Sequence, residues 1–103
     1  MLIAVPTEFK SYRSQLSKNF GRSNFFAFYN PDTGQKRIIK NPYQSIIGSS
    51  GIQSAQFMIE NKVSGIITCS IGINAQKILS SADVKIFFLA SGNFEAAIEY
   101  FKR

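Results

Sequence analysis

At 103 residues the chain has room for one domain, and its 45% hydrophobic and 17% charged residues hold too much apolar surface for disorder. Twelve Lys and Arg residues against six Asp and Glu give a formal charge of +6. The absence of His and the presence of a single Cys exclude a four-ligand zinc site, a Ser-His-Asp triad and a disulfide framework within one chain.

Leu2 to Val5 is a continuous apolar run closed by Pro6, which suits a buried strand. Residues 7–24 mix Ser, Lys, Arg and Asn with isolated Phe9, Tyr12, Leu16 and Phe20. They fit no period and predict a long loop, of a kind that is often functional or mobile. Phe25 to Tyr29 is aromatic and strand-like, and Asn30-Pro31-Asp32-Thr33-Gly34 after it supplies turn chemistry, so a hairpin is expected. The return strand, Gln35 to Lys40, carries Lys36, Arg37 and Lys40 around Ile38 and Ile39 and ends at Asn41-Pro42, the composition of an edge strand.

Beyond Gly48-Ser49-Ser50-Gly51, the spacing of Ile52, Ala55 and Ile59 predicts a helix from about residue 51. Gly65 to Thr68 reads as a second buried strand. Cys69-Ser70-Ile71-Gly72 turns into a helix with Ile71, Ala75, Ile78 and Leu79 on one face. Val84 to Leu89 repeats the strand and Ser91-Gly92-Asn93 the turn. Phe94, Ala97, Ile98 and Phe101 form the last apolar stripe, with Asn93 as its N-cap. The order βββαβαβα implies an α/β fold: a mixed five-stranded sheet with three helices, antiparallel in the hairpin and parallel where helices cross over, in a single domain spanning 1–103.

In such sheets ligands bind beyond the carboxyl ends of the parallel strands, where helix N-termini favour anions. Gly48-Ser49-Ser50-Gly51, Cys69-Ser70-Ile71-Gly72 and Ser91-Gly92-Asn93 are all expected there. Neither a Walker loop nor a dinucleotide fingerprint is present. Cys69, just before a helix, is expected to be favoured as thiolate and is the one candidate soft-metal ligand. The carboxylates are scattered over helix faces and turns, and only Glu8 falls at the right end of a strand, too few for a two-metal nuclease. Residues 1–41 carry Lys10, Arg13, Lys18, Arg22, Lys36, Arg37 and Lys40 against Glu8 and Asp32. The sharper meaning of that local excess is an anionic partner.

Several short segments, in order, resemble one family. They are Ile3-Ala4-Val5-Pro6-Thr7, Asn19-Phe20-Gly21-Arg22 running into Phe26 and Tyr29, Asp32-Thr33-Gly34, Asn41-Pro42, Gly48 to Ile52, Gly65 to Thr68, Ile71-Gly72-Ile73-Asn74-Ala75 and Glu95-Ala96-Ala97-Ile98. Together they are similar to the dinitrogenase iron-molybdenum cofactor biosynthesis family, of the NifX-like and NifB C-terminal domain type. The resemblance covers essentially the whole chain. It implies a ribonuclease H-like fold and a non-enzymatic role, binding or carrying an anionic metal-sulfur cluster such as an iron-sulfur or molybdenum-containing sulfide. It further implies partners that handle clusters, such as ferredoxin-like proteins or P-loop ATPases.

The chain departs from the family where members often write His-Phe-Gly-Arg, since Asn19 stands at the histidine position. A neutral amide is a poor soft-metal ligand. The expected site is therefore electrostatic, an anion held by hydrogen bonds and charge. Its candidate residues are Asn19, Gly21, Arg22, Gly48, Ser49, Ser50, Gly51, Cys69, Ser70, Gly72 and Asn74, with Cys69 able to add one metal bond. Two alternatives compete. The basic balance, with a pI near 9.7 and 14% aromatics, suits a nucleic-acid-binding module, and the edge strand Gln35 to Lys40 suits a regulatory interaction module that pairs with another chain. The short apolar runs, such as Ile86 to Ala90, and the absence of a charged leader point to a cytoplasmic chain, monomeric or weakly dimeric, without a membrane partner.

Overall fold

A computed structural model describes residues 1–102. Its elements are β1 (Ile3–Thr7), β2 (Phe25–Tyr29), β3 (Lys36–Lys40), α1 (Ser50–Glu60), β4 (Gly65–Thr68), α2 (Ile73–Ser81), β5 (Lys85–Phe88) and α3 (Phe94–Lys102). The five strands form one sheet in the order β3-β2-β1-β4-β5. β1 pairs antiparallel with β2 and parallel with β4. The hairpin β2–β3 is antiparallel and β4–β5 parallel. This is the mixed five-stranded sheet with three helices that the order of elements implies, in keeping with the ribonuclease H-like fold that the family resemblance implies, and β3 is an edge strand as its cations suggest.

Strand alternation splits the core between the two sheet faces. Ala4, Phe26, Phe28 and Ile66 pack on one side with Phe20, Ala55 and Met58 of α1, and Ala75 and Leu79 of α2. Ile3, Val5, Ala27, Tyr29 and Ile67 pack on the other with Leu16 and with Phe94, Ala97 and Ile98 of α3. On α1 the fully buried stripe is Ser54, Ala55 and Met58, while Ile52 and Ile59 are only half-buried. The helix is turned away from its most apolar line by two neighbours: the Ser54 hydroxyl meets Gly21 O of the segment after β1, and Gly51 faces Ala75 of α2. On α3 the expected stripe holds, and Asn93 caps it by accepting the Ala96 N–H at 2.9 Å.

Pro6 does not close the first strand. β1 runs through it to Thr7, with Pro6 opposite Phe26 of β2. The Pro6 carbonyl accepts the Ser17 N–H at 2.9 Å on the edge away from β2. The nitrogen and carbonyl of one strand residue face the same edge. The missing donor therefore falls beyond Ile3 and Ala4, the residues of β1 paired with β4, on the stretch of edge that the segment around Leu16 takes over, and no ladder bond is lost.

The segment after β1 is long, but it is tethered rather than free. The Ser14 hydroxyl oxygen accepts the N–H groups of Glu8 (3.1 Å) and Phe9 (2.9 Å). The Leu16 N–H donates to Gly92 O at 2.9 Å, Phe20 N–H to Ser70 O at 3.1 Å and Phe94 N–H to Ser14 O at 3.1 Å. Burial of Leu16 and Phe20 on opposite faces of the sheet anchors the segment between those bonds. It thereby joins the turns that follow β4 and β5.

Candidate functional site

That tethering builds a cleft of about 550 Å³ at the carboxyl ends of β1, β4 and β5. One wall is the segment after β1, through Glu8, Gln15 to Asn19 and Arg22. The other is Cys69 after β4, with Ala90, Ser91 and Gly92 after β5. The lining holds the cations Lys18 and Arg22 against the single carboxylate of Glu8. Lys10 and Arg13 are exposed on the same segment but outside the lining.

The Arg22 turn is fixed by its own short side chains. Asn19 Oδ1 accepts the Arg22 N–H at 3.1 Å, and the Ser17 hydroxyl donates to Asn19 O at 3.1 Å. Asn19 therefore spends its amide oxygen closing the turn, as Asn commonly does. Gly21 sits backbone to backbone against the start of α1: a Cβ there would lie 2.6 Å from both Cα and N of Gly51.

The sequence-expected residues thus separate. Asn19, Arg22 and Cys69 line the cleft together. Gly21, Ser50 and Gly51 form the contact that backs the Arg22 turn. The Ser70 hydroxyl donates to Lys18 O, and its carbonyl accepts the Phe20 N–H, so Ser70 pins the cleft wall. Gly48, Ser49, Gly72 and Asn74, at the starts of α1 and α2, lie outside the lining. Gln15 and Ser17 join the lining without having stood out in the sequence. Nothing in their local pattern marks them, since their place depends on the bridges Thr7 to Leu16 and Gln15 to Asn93.

Cys69 departs from expectation. Burial pushes its thiol pKa up, and the Lys18 ammonium pulls it only partly back. Cys69 stands four residues before the first residue of α2, beyond the turn over which a helix dipole acts. The neutral thiol, not the thiolate, is favoured. Among the described residues no group of three or more His, Cys, Asp or Glu side chains gathers to hold a metal ion. This donor set, one thiol and one carboxylate in the cleft lining, is too small for a cluster ligated by this protein alone. It fits an anion held through charge and hydrogen bonds.

Two cations of β3 face elsewhere. Lys36 Nζ lies 5.3 Å from the centre of the Tyr12 ring, and the Arg37 guanidinium 5.2 Å from that of Phe28. They cover the rings of Tyr12 and Phe28 and lie outside the cleft lining. Among the described residues no helix is long and apolar enough to cross a membrane.

A family model described as "Dinitrogenase iron-molybdenum cofactor" matches residues 1–103. No curated protein matches the sequence. Among solved structures, the chain is similar to a provisionally assigned NifB protein from Thermotoga, placed in the DUF35 family. That match has 27% identity and a TM-score of 0.85, covering 98% of this chain and 86% of the other. The fold is also that of the apo form of the orange protein from Desulfovibrio gigas, at 23% identity and a TM-score of 0.91, with 98% and 86% covered.

Proposed function

Because the chain belongs to the dinitrogenase iron-molybdenum cofactor family, we propose that it is a non-enzymatic carrier, which binds an anionic metal-sulfur cluster or oxoanion as cargo in the cleft beside Arg22. The observation that carries this reading is the cleft itself, which brings Lys18, Arg22 and Asn19 together at the carboxyl end of the sheet beside the lone thiol of Cys69. Lys18 and Arg22 supply charge, and the guanidinium adds a planar fork of donors suited to sulfide or oxo faces. Asn19, Ser91 and the backbone at Gly92 supply neutral polar groups. Cys69, held as a neutral thiol, is a soft neighbour and not the anchor. Gly21, Ser50, Gly51 and Ser70 hold the walls. A cleft with one carboxylate and no imidazole lacks a paired acid and base, which favours carriage over turnover.

In this reading residues 1–103 work as one domain in the cytoplasm, as a monomer or weak dimer, receiving and passing on an iron-sulfur or molybdenum-containing sulfide cluster. Ferredoxin-like proteins or P-loop ATPases are its exchange partners. The test is titration with tetrathiomolybdate, with and without copper, followed by gel filtration and visible absorption. The chain is expected to retain a charge-transfer band, and Lys18→Ala/Arg22→Ala to bind at least about tenfold more weakly. Absence of a retained band, or equal retention by the double variant, would overturn the reading. A salt-dependent mobility shift with mixed oligonucleotides in place of that band would favour nucleic-acid binding instead.

A further inference from the structure

The turn that presents Arg22 is held from behind by a side chain the binding reading does not use. Asn41, directly after β3, is 1% exposed. Its Nδ2 donates to the carbonyls of Gly21 (3.1 Å) and Ser23 (3.0 Å), the residues on either side of Arg22. Its Oδ1 accepts the Tyr43 N–H at 2.9 Å and lies 3.5 Å from the Ser54 hydroxyl, which is also 3.3 Å from Gly21 O. The turn is closed in front by Asn19 on the Arg22 N–H and by the Ser23 hydroxyl on Phe20 O. Arg22 itself is exposed and, among the described residues, has no carboxylate partner, since the one ion pair joins the Met1 ammonium to Asp32. Its placement therefore comes from the backbone.

We propose that Asn41 is the positioning residue for Arg22: one buried amide turns both flanking carbonyls inward and so presents the guanidinium at the cleft before any anion arrives. This rests on the reading of the cleft as an anion site. The geometry requires two donors on one terminal nitrogen and an acceptor beside it. Asp lacks the donors and Gln carries the amide one methylene too far. Presetting the turn removes part of the ordering cost that binding otherwise meets.

A double-variant cycle with tetrathiomolybdate as probe, combined with amide hydrogen exchange, tests the proposal. In Asn41→Ala the Arg22 amide is expected to exchange about tenfold faster while Ile66 and Ile67 of β4 keep their rates. Affinity should fall about three- to tenfold when Arg22 is present and less than about twofold in an Arg22→Ala background. Asn41→Ser, which leaves a smaller void but reaches neither the Gly21 nor the Ser23 carbonyl, runs in parallel with the same expectations in case Asn41→Ala does not fold. Equal loss in both backgrounds, or unchanged exchange at Arg22, would overturn the positioning role. If the parent protein binds no probe at all, the carrier reading fails, while the exchange measurement still decides whether Asn41 holds the turn.

Discussion

Gly21 and Gly51 touch each other, yet replacing each by Ala should move stability in opposite directions. A Cβ on Gly21 would lie 2.6 Å from Cα and N of Gly51 and 3.1 Å from the Ser50 carbonyl carbon. These are backbone atoms, so the clash is relieved only by driving the first turn of α1 away from the Arg22 turn. That movement also strains the bonds from Asn41 and Ser54 to Gly21 O. Overpacking of this kind costs about 2–3 kcal/mol, which at about 4–8 °C per kcal/mol for a domain near this size lowers the melting temperature by about 10–20 °C. A Cβ on Gly51 instead points toward Ala75, whose own Cβ is 3.7 Å away, an ordinary contact. Gly51 lies inside α1, so Ala there gains up to about 1 kcal/mol of helix propensity. Thermal melts by circular dichroism, supported by urea titrations, would read both variants. A Gly21→Ala protein melting within about 2 °C of the parent, or a parallel loss in both variants, would refute the close approach.

Three further outcomes follow from the packing and the thiol. Asn93→Ala removes the acceptor of the Ala96 N–H and should cost about 0.5–2 kcal/mol; a melt unchanged from the parent would count against the cap. Phe26→Ala deletes a fully buried ring that packs 5.5 Å from Phe20 and 6.4 Å from Phe57, centre to centre. It should cost about 3–5 kcal/mol in urea unfolding, and a loss below about 1 kcal/mol would contradict the assignment of the core. Alkylation of Cys69 by iodoacetamide requires the thiolate, so its rate should keep climbing at pH values where an ordinary thiol has levelled off. Lys18→Ala, which removes the cation that lowers the pKa, should slow alkylation at any fixed pH; a rate already level at neutral pH would show that burial does not dominate. Because folding favours the neutral thiol, any stability it contributes is present below the unfolded pKa and lost as pH rises through the folded one.

What could be read from the sequence was whatever depends on neighbours in the chain. Phe25 to Tyr29 and Gly65 to Thr68 match β2 and β4 residue for residue because turn residues bound dense apolar runs. Asn93 caps α3 because its role is local. Reasoning failed where a distant partner decides. Pro6 lies inside β1 because the pairing of β1 with β4 ends at Ala4 and the distant segment around Leu16 takes the edge beyond it, which no local rule contains. α1 buries Ser54 and Met58 along with Ala55, while Ile52 and Ile59 of its apolar stripe stay half-buried, because the Arg22 turn and α2 both pack against it. The site divides in the same way. Cys69 stood out as the lone thiol, Arg22 as a cation and Asn19 only through the family resemblance, and all three converge on the cleft. Asn41 read as the end of a strand and part of a family-like Asn-Pro pair, without a role at the site, and its bonds to Gly21 and Ser23 reach 20 and 18 residues back along the chain. The N-terminal charge excess looked like one field, but in the fold only Lys18 and Arg22 line the cleft, while Lys36 and Arg37 cover the Tyr12 and Phe28 rings.

The central claim is where an anion sits. Two-dimensional amide NMR of the labelled protein during a tetrathiomolybdate titration tests it most directly. The account predicts saturable shifts confined to residues 15–22, Cys69 and Ser91-Gly92, abolished in Lys18→Ala/Arg22→Ala. Shifts centred on Lys36 to Lys40, or at the starts of α1 and α2 with the cleft unmoved, would contradict it.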